Sequence, residues 1–150
     1  MPTNFTLPEA RALLVEIAPR MRRAVQLHVL FLQQVQDLGK AGVRVSTALL
    51  EGTKEARGAQ PLADRARAVH DALQEEIQGM ESLGVQLKGL GHGLVDFPSF
   101  LDGDAPVLLC WKLGEPTVAF FHHLDAGFAG RQPVGSHVFT RTRRSTQPTQ

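Results

Sequence analysis

A chain of 150 residues with 43% hydrophobic and 21% charged content can bury one core and has the balance of a soluble globular domain. A net charge of +1, one Cys and no apolar run near the roughly 20 residues of a bilayer span argue against a charge-driven polyanion binder, an internal disulfide framework and a membrane helix. The opening MPTNFTLPEA lacks the basic and apolar regions of a secretory signal, so a cytoplasmic location is expected.

The first helix has a clear start. Thr6 followed by Glu9 makes a capping box, Phe5 holds the staple position before it, and Pro8 falls in the first turn. A seven-residue repeat follows: Leu14, Met21, His28 and Val35 in one series, Ile17, Ala24, Phe31 and Leu38 in the other. Pro19 predicts a kink or break near Ala18, and Gly39 and Gly42 an end. Residues 43–60, with Gly52 and Gly58, read as a mobile connection. A second helix from Pro61 to Leu83 repeats the pattern through Leu62, Val69, Glu76 and Leu83, and through Ala66, Leu73, Met80 and Leu87. Two such helices pack as an antiparallel hairpin over residues 5–87 or, through the same stripes, as a homodimer. His28 reads as a packed residue and His70 as an exposed one.

After Gly84 the period changes to two. Three strands are expected, at GHGLVDF, PVLLCWKL and TVAFFHH, within a β module over residues 91–134. Asp102-Gly103 suits a two-residue I′ turn and Gly114-Glu115 a II′ turn. Those turns place Leu94 opposite Trp111, Asp96 opposite Leu109, Leu109 opposite Phe120 and Trp111 opposite Val118. One face then collects Asp96, Leu109, Trp111, Phe120 and His122 and covers the helices. The other collects Val95, Phe97, Cys110, Phe121 and His123.

Asp96 and His122 on one largely apolar face need each other, since a buried charge needs a partner. They make either an internal hydrogen bond or a ligand pocket. A metal would recruit His122 and His123 with Asp96, Glu115 or Asp125, although no spacing matches a known metal motif. Cys110 reads as a buried thiol. Gly127-Phe128-Ala129-Gly130-Arg131 is either an anion-binding nest with an Arg fork or a glycine turn in which Arg131 pairs an acidic neighbour. Residues 139–150, FTRTRRSTQPTQ, read as a flexible basic tail outside a single domain of residues 1–138.

GLVDFP at 93–98, LLCWKLGEP at 108–116 and HHLDAGFAGRQPV at 122–134 together resemble a small bacterial and archaeal family, the domain of unknown function twenty-two-oh-three. The resemblance implies a helical N-terminal half before a glycine-punctuated module. Its motif positions here are Asp96, Cys110, Trp111, Gly114, Glu115, His122, Gly127, Phe128, Gly130 and Arg131, and it implies no reaction. Phe121 and the second His, His123, depart from the motif.

The expected protein is α+β: a long antiparallel helical hairpin against a small three-stranded antiparallel sheet, with a polar C-terminal tail. It reads as a non-enzymatic binding module without a cofactor, taking a partner or an anionic small ligand through Asp96, Glu115, His122 and Arg131. The alternatives are a metal-dependent or hydrolase-like enzyme using the same residues, and a nucleic-acid accessory protein using Arg141, Arg143 and Arg144.

Overall fold

A computed structural model describes residues 3–144. Helix α1 runs Leu7–Lys40 and opens on the expected capping box. The Glu9 N–H donates to Thr6 Oγ1 at 3.2 Å, and the Thr6 N–H donates to Glu9 Oε1 at 2.9 Å. Of the kink or break expected at Pro19, the break does not occur: the helix continues through it. Pro19 is exposed, and so is Val15 four residues before it, so the carbonyl that loses its helical partner lies on the solvent side.

Helix α3, Gln60–Glu81, returns along α1. Arg20 and Arg23 reach Glu76, Phe31 lies against His70, and Leu38 packs with Ala63 and Ala66. Rising numbers on α1 meet falling numbers on α3, so the hairpin is antiparallel and the repeat stripes meet within one chain. His70 is half-buried rather than exposed. The connection is also not the loose segment expected from its glycines. A short helix α2, Thr47–Leu50, is capped by Ser46, and its Leu49 joins Leu38, Ala56, Ala59, Ala63 and Ala66 in a second small core.

The sheet is antiparallel and six-stranded rather than three-stranded. Its strands are β1 Gln86–Gly89, β2 Leu94–Leu101, β3 Ala105–Lys112, β4 Phe120–His123, β5 Gln132–Pro133 and β6 Phe139–Thr140. The order is β1-β2-β3-β4-β5, and β6 pairs with the far end of β2, through Phe100 and Leu101. Phe139 and Thr140, which the sequence assigns to the tail, are therefore strand residues; residues 145–150 lie outside the described residues.

Both expected registers are off by one residue. Leu94 pairs with Lys112 and Asp96 with Cys110; Leu109 pairs with Phe121 and Cys110 with Phe120. Asp102 and Gly103 do take the positive φ of a I′ turn, 52° and 74°, and the Asp104 N–H closes it on the Leu101 carbonyl at 2.9 Å. Leu101 nevertheless pairs with Ala105, so Asp104 is an extra residue, a bulge. Asp102 is also gripped from β6: its N–H donates to the Val138 carbonyl, and its carboxylate accepts the Val138 N–H at 2.9 Å. At the other end the tight turn centres on Leu113-Gly114, one residue earlier than expected, and the chain runs on through Val118 before β4 begins.

A one-residue slip exchanges faces. Val95, Phe97, Val107, Leu109, Trp111 and Phe121 pack on the helices with Leu14, Ile17, Met21, Leu73 and Met80. Asp96, Cys110 and His122 lie together on the opposite face. Asp96 and His122 share a face as expected, but it is not the helix-covering one, and Cys110 joins them instead of lying opposite.

The chain ends fasten to β2. The Phe5 N–H donates to the Pro98 carbonyl at 2.8 Å, and the buried Ser99 hydroxyl donates to the Phe5 carbonyl at 2.7 Å. Phe139 is 3% exposed and stacks edge-on with Phe121 at 5.3 Å. Phe139→Ala should therefore cost about 3–5 kcal/mol in chemical denaturation; a loss below about 1 kcal/mol would mean that the C-terminal strand is not part of the core.

Candidate functional site

Three strands bring Asp96, Cys110 and His122 together. Each lies at the middle or the end of a strand whose neighbouring positions are fixed by apolar side chains on the helix face. Asp96 is 1% exposed, Cys110 2% and His122 4%. A ligand atom from each lies within 4.8 Å of those of the other two.

The contacts of the imidazole define its hydrogen. His122 Nδ1 is 2.8 Å from the carbonyl oxygen of His123, and a carbonyl only accepts, so Nδ1 carries the proton. Nε2 then faces the site, 3.1 Å from Asp96 Oδ2. Two bare lone pairs do not attract, so without another cation the contact requires a proton on one of these two atoms. The second oxygen, Asp96 Oδ1, is buried and has no hydrogen-bond partner, an arrangement costly enough to call for an explanation. Burial raises the Asp96 pKa above the usual carboxylate value, with His122 opposing the shift. Burial and the neighbouring Asp96 charge push the Cys110 thiol up to about 12. Unaided, this thiol is not a nucleophile at neutral pH.

Glu115 and Arg131 form the next layer. Arg131 donates to Glu115 Oε2 at 2.7 Å and to Oε1 at 3.1 Å, a bidentate pair. Its guanidinium lies 4.0 Å from the Phe120 ring centre and 4.4 Å from that of Phe128. It also points a nitrogen at Cys110 Sγ, 3.9 Å away. Glu115 accepts the Lys112 N–H at 2.7 Å, and its own carbonyl accepts the Trp111 indole N–H at 2.9 Å. Burial works to raise the Glu115 pKa, but the hydrogen bonds from Arg131 and the Lys112 N–H outweigh it and hold the carboxylate below its usual range.

The four residues singled out by sequence thus form two contacting pairs, Asp96–His122 and Glu115–Arg131, with Cys110 between them. Arg131 pairs an acidic neighbour, so its fork is filled from within the chain. Phe128 does not plug the core; it is 45% exposed beside a cleft. His123 contributes its backbone carbonyl, while its ring is on the helix-side face at 6.1 Å from Phe121. Asp96 and His122 are the residues that the sequence reading put on the wrong face: the extra residue at Asp104 moves Asp96, and the earlier turn at Leu113-Gly114 moves His122, to the side of Cys110. In the C-terminal segment, Arg141 pairs with Glu9 at 3.1 Å, Arg143 lies 3.9 Å from Asp104, and Arg144 donates to the Asp102 carbonyl.

A cleft of about 270 Å³ opens over the trio, lined also by Lys88, Leu94, Leu124, Gly127 and Phe128. Larger grooves lie elsewhere, among them one between α1 and the Leu113–Thr117 turn, one between α2 and α3, one at residues 35–45 and one beside the Asp102 turn. None of these holds a cluster of metal-binding side chains among the described residues.

Residues 3–134 match the family model described as Uncharacterized conserved protein (DUF2203). The chain belongs to that family. The DUF2203 match covers the hairpin, the trio and the Glu115–Arg131 pair, and it ends before β6. No curated protein and no solved structure matches the chain. Among the described residues, no helix is long and apolar enough to cross a membrane.

The depressed Glu115 pKa fixes a pH dependence. A carboxyl with a lowered folded-state value contributes stability that is complete above its ordinary pKa of 4.5 and is lost as pH falls through the lowered value. Glu115→Gln should cost about 1–3 kcal/mol at pH 7. The gap between variant and parent should close in thermal melts as the pH falls below 4.5; a gap independent of pH would mean that the charge of Glu115 is not what holds Arg131.

Proposed function

We propose that this protein is a binding module whose ligand is a divalent transition metal, held by Asp96, Cys110 and His122. The observation that carries this reading is the direction of the His122 ring. A metal-binding histidine donates its remote N–H to a backbone carbonyl or carboxylate and turns a bare nitrogen to the metal. Here Nδ1–H is fixed by the His123 carbonyl, and Nε2 faces an Asp oxygen and a Cys sulfur.

The spacing supports the same reading. A tetrahedral ion with nitrogen and oxygen bonds near 2.0 Å separates those two atoms by about 3.3 Å. Nε2 and Oδ2 stand 3.1 Å apart. A cation also supplies a partner for the orphaned Oδ1 and removes the repulsion between two lone pairs. It would release the Cys110 proton, which burial otherwise holds in place. A mixed sulfur, nitrogen and oxygen set favours Zn²⁺ over Mg²⁺ or Ca²⁺, which take oxygen. The Arg131 contact to Cys110 Sγ would stabilise the thiolate as an outer hydrogen bond.

This narrows the ligand expected from the sequence. With Arg131 committed to Glu115, an anion bound by Arg131 alone is the weaker reading, and the trio beside it the stronger one.

Protein purified without chelator should carry about one Zn²⁺ per chain by elemental analysis. Cys110→Ser or His122→Ala should weaken its affinity more than about 100-fold, beyond the loss typical of an outer-shell change. His123→Ala, which keeps the backbone carbonyl, should leave the stoichiometry intact. Absence of zinc after equilibration with the free ion, or equal binding by the His122→Ala variant, removes the proposal.

A further inference from the structure

The metal reading leaves a question about coordination number. Among the described residues the group has three members. Four-coordinate structural zinc sites are closed by four protein ligands, whereas three protein ligands leave a position for a water or an outside molecule. All three side chains border the cleft described above, which gives a fourth ligand a route to them. The three side chains line the floor of the 270 Å³ cleft, which is large enough for roughly nine waters at liquid density.

The walls of the cleft have a definite chemistry. Leu94, Leu124 and Phe128 supply apolar surface, and Leu124 and Phe128 are 58% and 45% exposed. Lys88 stands at the rim on β1, close enough to act on Asp96 electrostatically. The Lys112 ammonium lies over the Phe128 ring at 5.8 Å. Among the described residues neither lysine has an ion-pair partner, while Arg131 is neutralised by Glu115. A divalent ion bound by one carboxylate, one thiolate and a neutral imidazole is itself neutral overall. With the two lysines the mouth of the cleft is then net positive, and its lining is apolar.

Resting on the metal reading above, we infer that the fourth position at Asp96, Cys110 and His122 is open and takes a small organic anion, a short-chain carboxylate. One carboxylate oxygen would occupy the metal position facing the cleft. Lys88 would meet the other oxygen or the residual charge, and the short apolar chain would lie against Leu124 and Phe128. Binding exchanges one ligand for another at the ion, so no bond within the anion breaks.

The full-length chain loaded with Co²⁺ in place of zinc provides the test, because cobalt reports its coordination in visible absorption. Acetate, propionate and butyrate are titrated in, with perchlorate at equal ionic strength as the control. The expected result is a saturable change in the visible bands with each carboxylate, tighter from acetate to butyrate, and none with perchlorate. Lys88→Met, at an exposed position that folding does not depend on, should weaken carboxylate binding about fivefold, the upper end for an exposed ion pair. Phe128→Ala should flatten the preference for the longer chain. A cobalt spectrum that carboxylates leave unchanged overturns the open position while the metal site stands. Absence of any cobalt spectrum, in protein shown to be folded, overturns the metal site and the open position together.

Discussion

Trp111 is buried between the sheet and the helical hairpin, with Leu109 and Val107 beside it on the same face of β3. Burial of these side chains sets the parity of the strand, since alternate residues must point to opposite sides. Cys110 and Lys112 are then forced to the other side. Pairing carries the same parity into β2 and β4, where Phe97 and Phe121 go inward and Asp96 and His122 outward. The hydrophobic contact between sheet and hairpin thus positions a polar trio that makes no contact with the helices.

The outward face would ordinarily meet water, as one face of an antiparallel sheet commonly does. Here it does not. The segment from Leu124 to Arg131 folds over it, with a 3-10 turn at Phe128–Gly130 and the Arg131–Glu115 pair as its fastening. The trio is therefore buried without belonging to the core. A carboxylate, an imidazole and a thiol at that depth have few ways to satisfy one another. One proton serves two lone pairs, and Asp96 Oδ1 is left over. A buried, under-satisfied polar group beside an open cleft is costly to keep, and a bound cation would relieve that cost.

Much of this was legible in the residues. The capping box at Thr6 and Glu9, the antiparallel hairpin, the shared face of Asp96 and His122, and the pairing of Arg131 with an acidic neighbour all follow from local pattern or motif. What was not legible has a common cause. The turn at Asp102-Gly103 has the backbone sign that its residues demand, yet the loop is one residue longer because Asp102 is held by Val138 from the far end of the chain. The turn at Gly114 is likewise shaped by Glu115 folding back on the Lys112 N–H. Short-range signals gave the turn chemistry but not the loop length, and a one-residue shift at each turn decided that Asp96 and His122 point to the side of Cys110. The order of residues 43–59 was missed for a similar reason. Its small core uses alanines, whose weak individual signal gains force only when α1 and α3 stand close together.

The Ser99 hydroxyl stands between the two ends of the chain, donating to the Phe5 carbonyl and lying 3.3 Å from the Thr140 carbonyl. This has a consequence for the order of assembly. The hairpin is built from contacts nearby in sequence, whereas the edge of β2 waits for Phe139 and Thr140. Until β6 docks, the Asp102 turn lacks its clamp and the far half of β2 keeps an unpaired edge, the kind of surface that invites pairing with another chain. Docking of Phe139 and Thr140, rather than burial of the hairpin, is therefore what closes the edge of β2 and clamps the Asp102 turn.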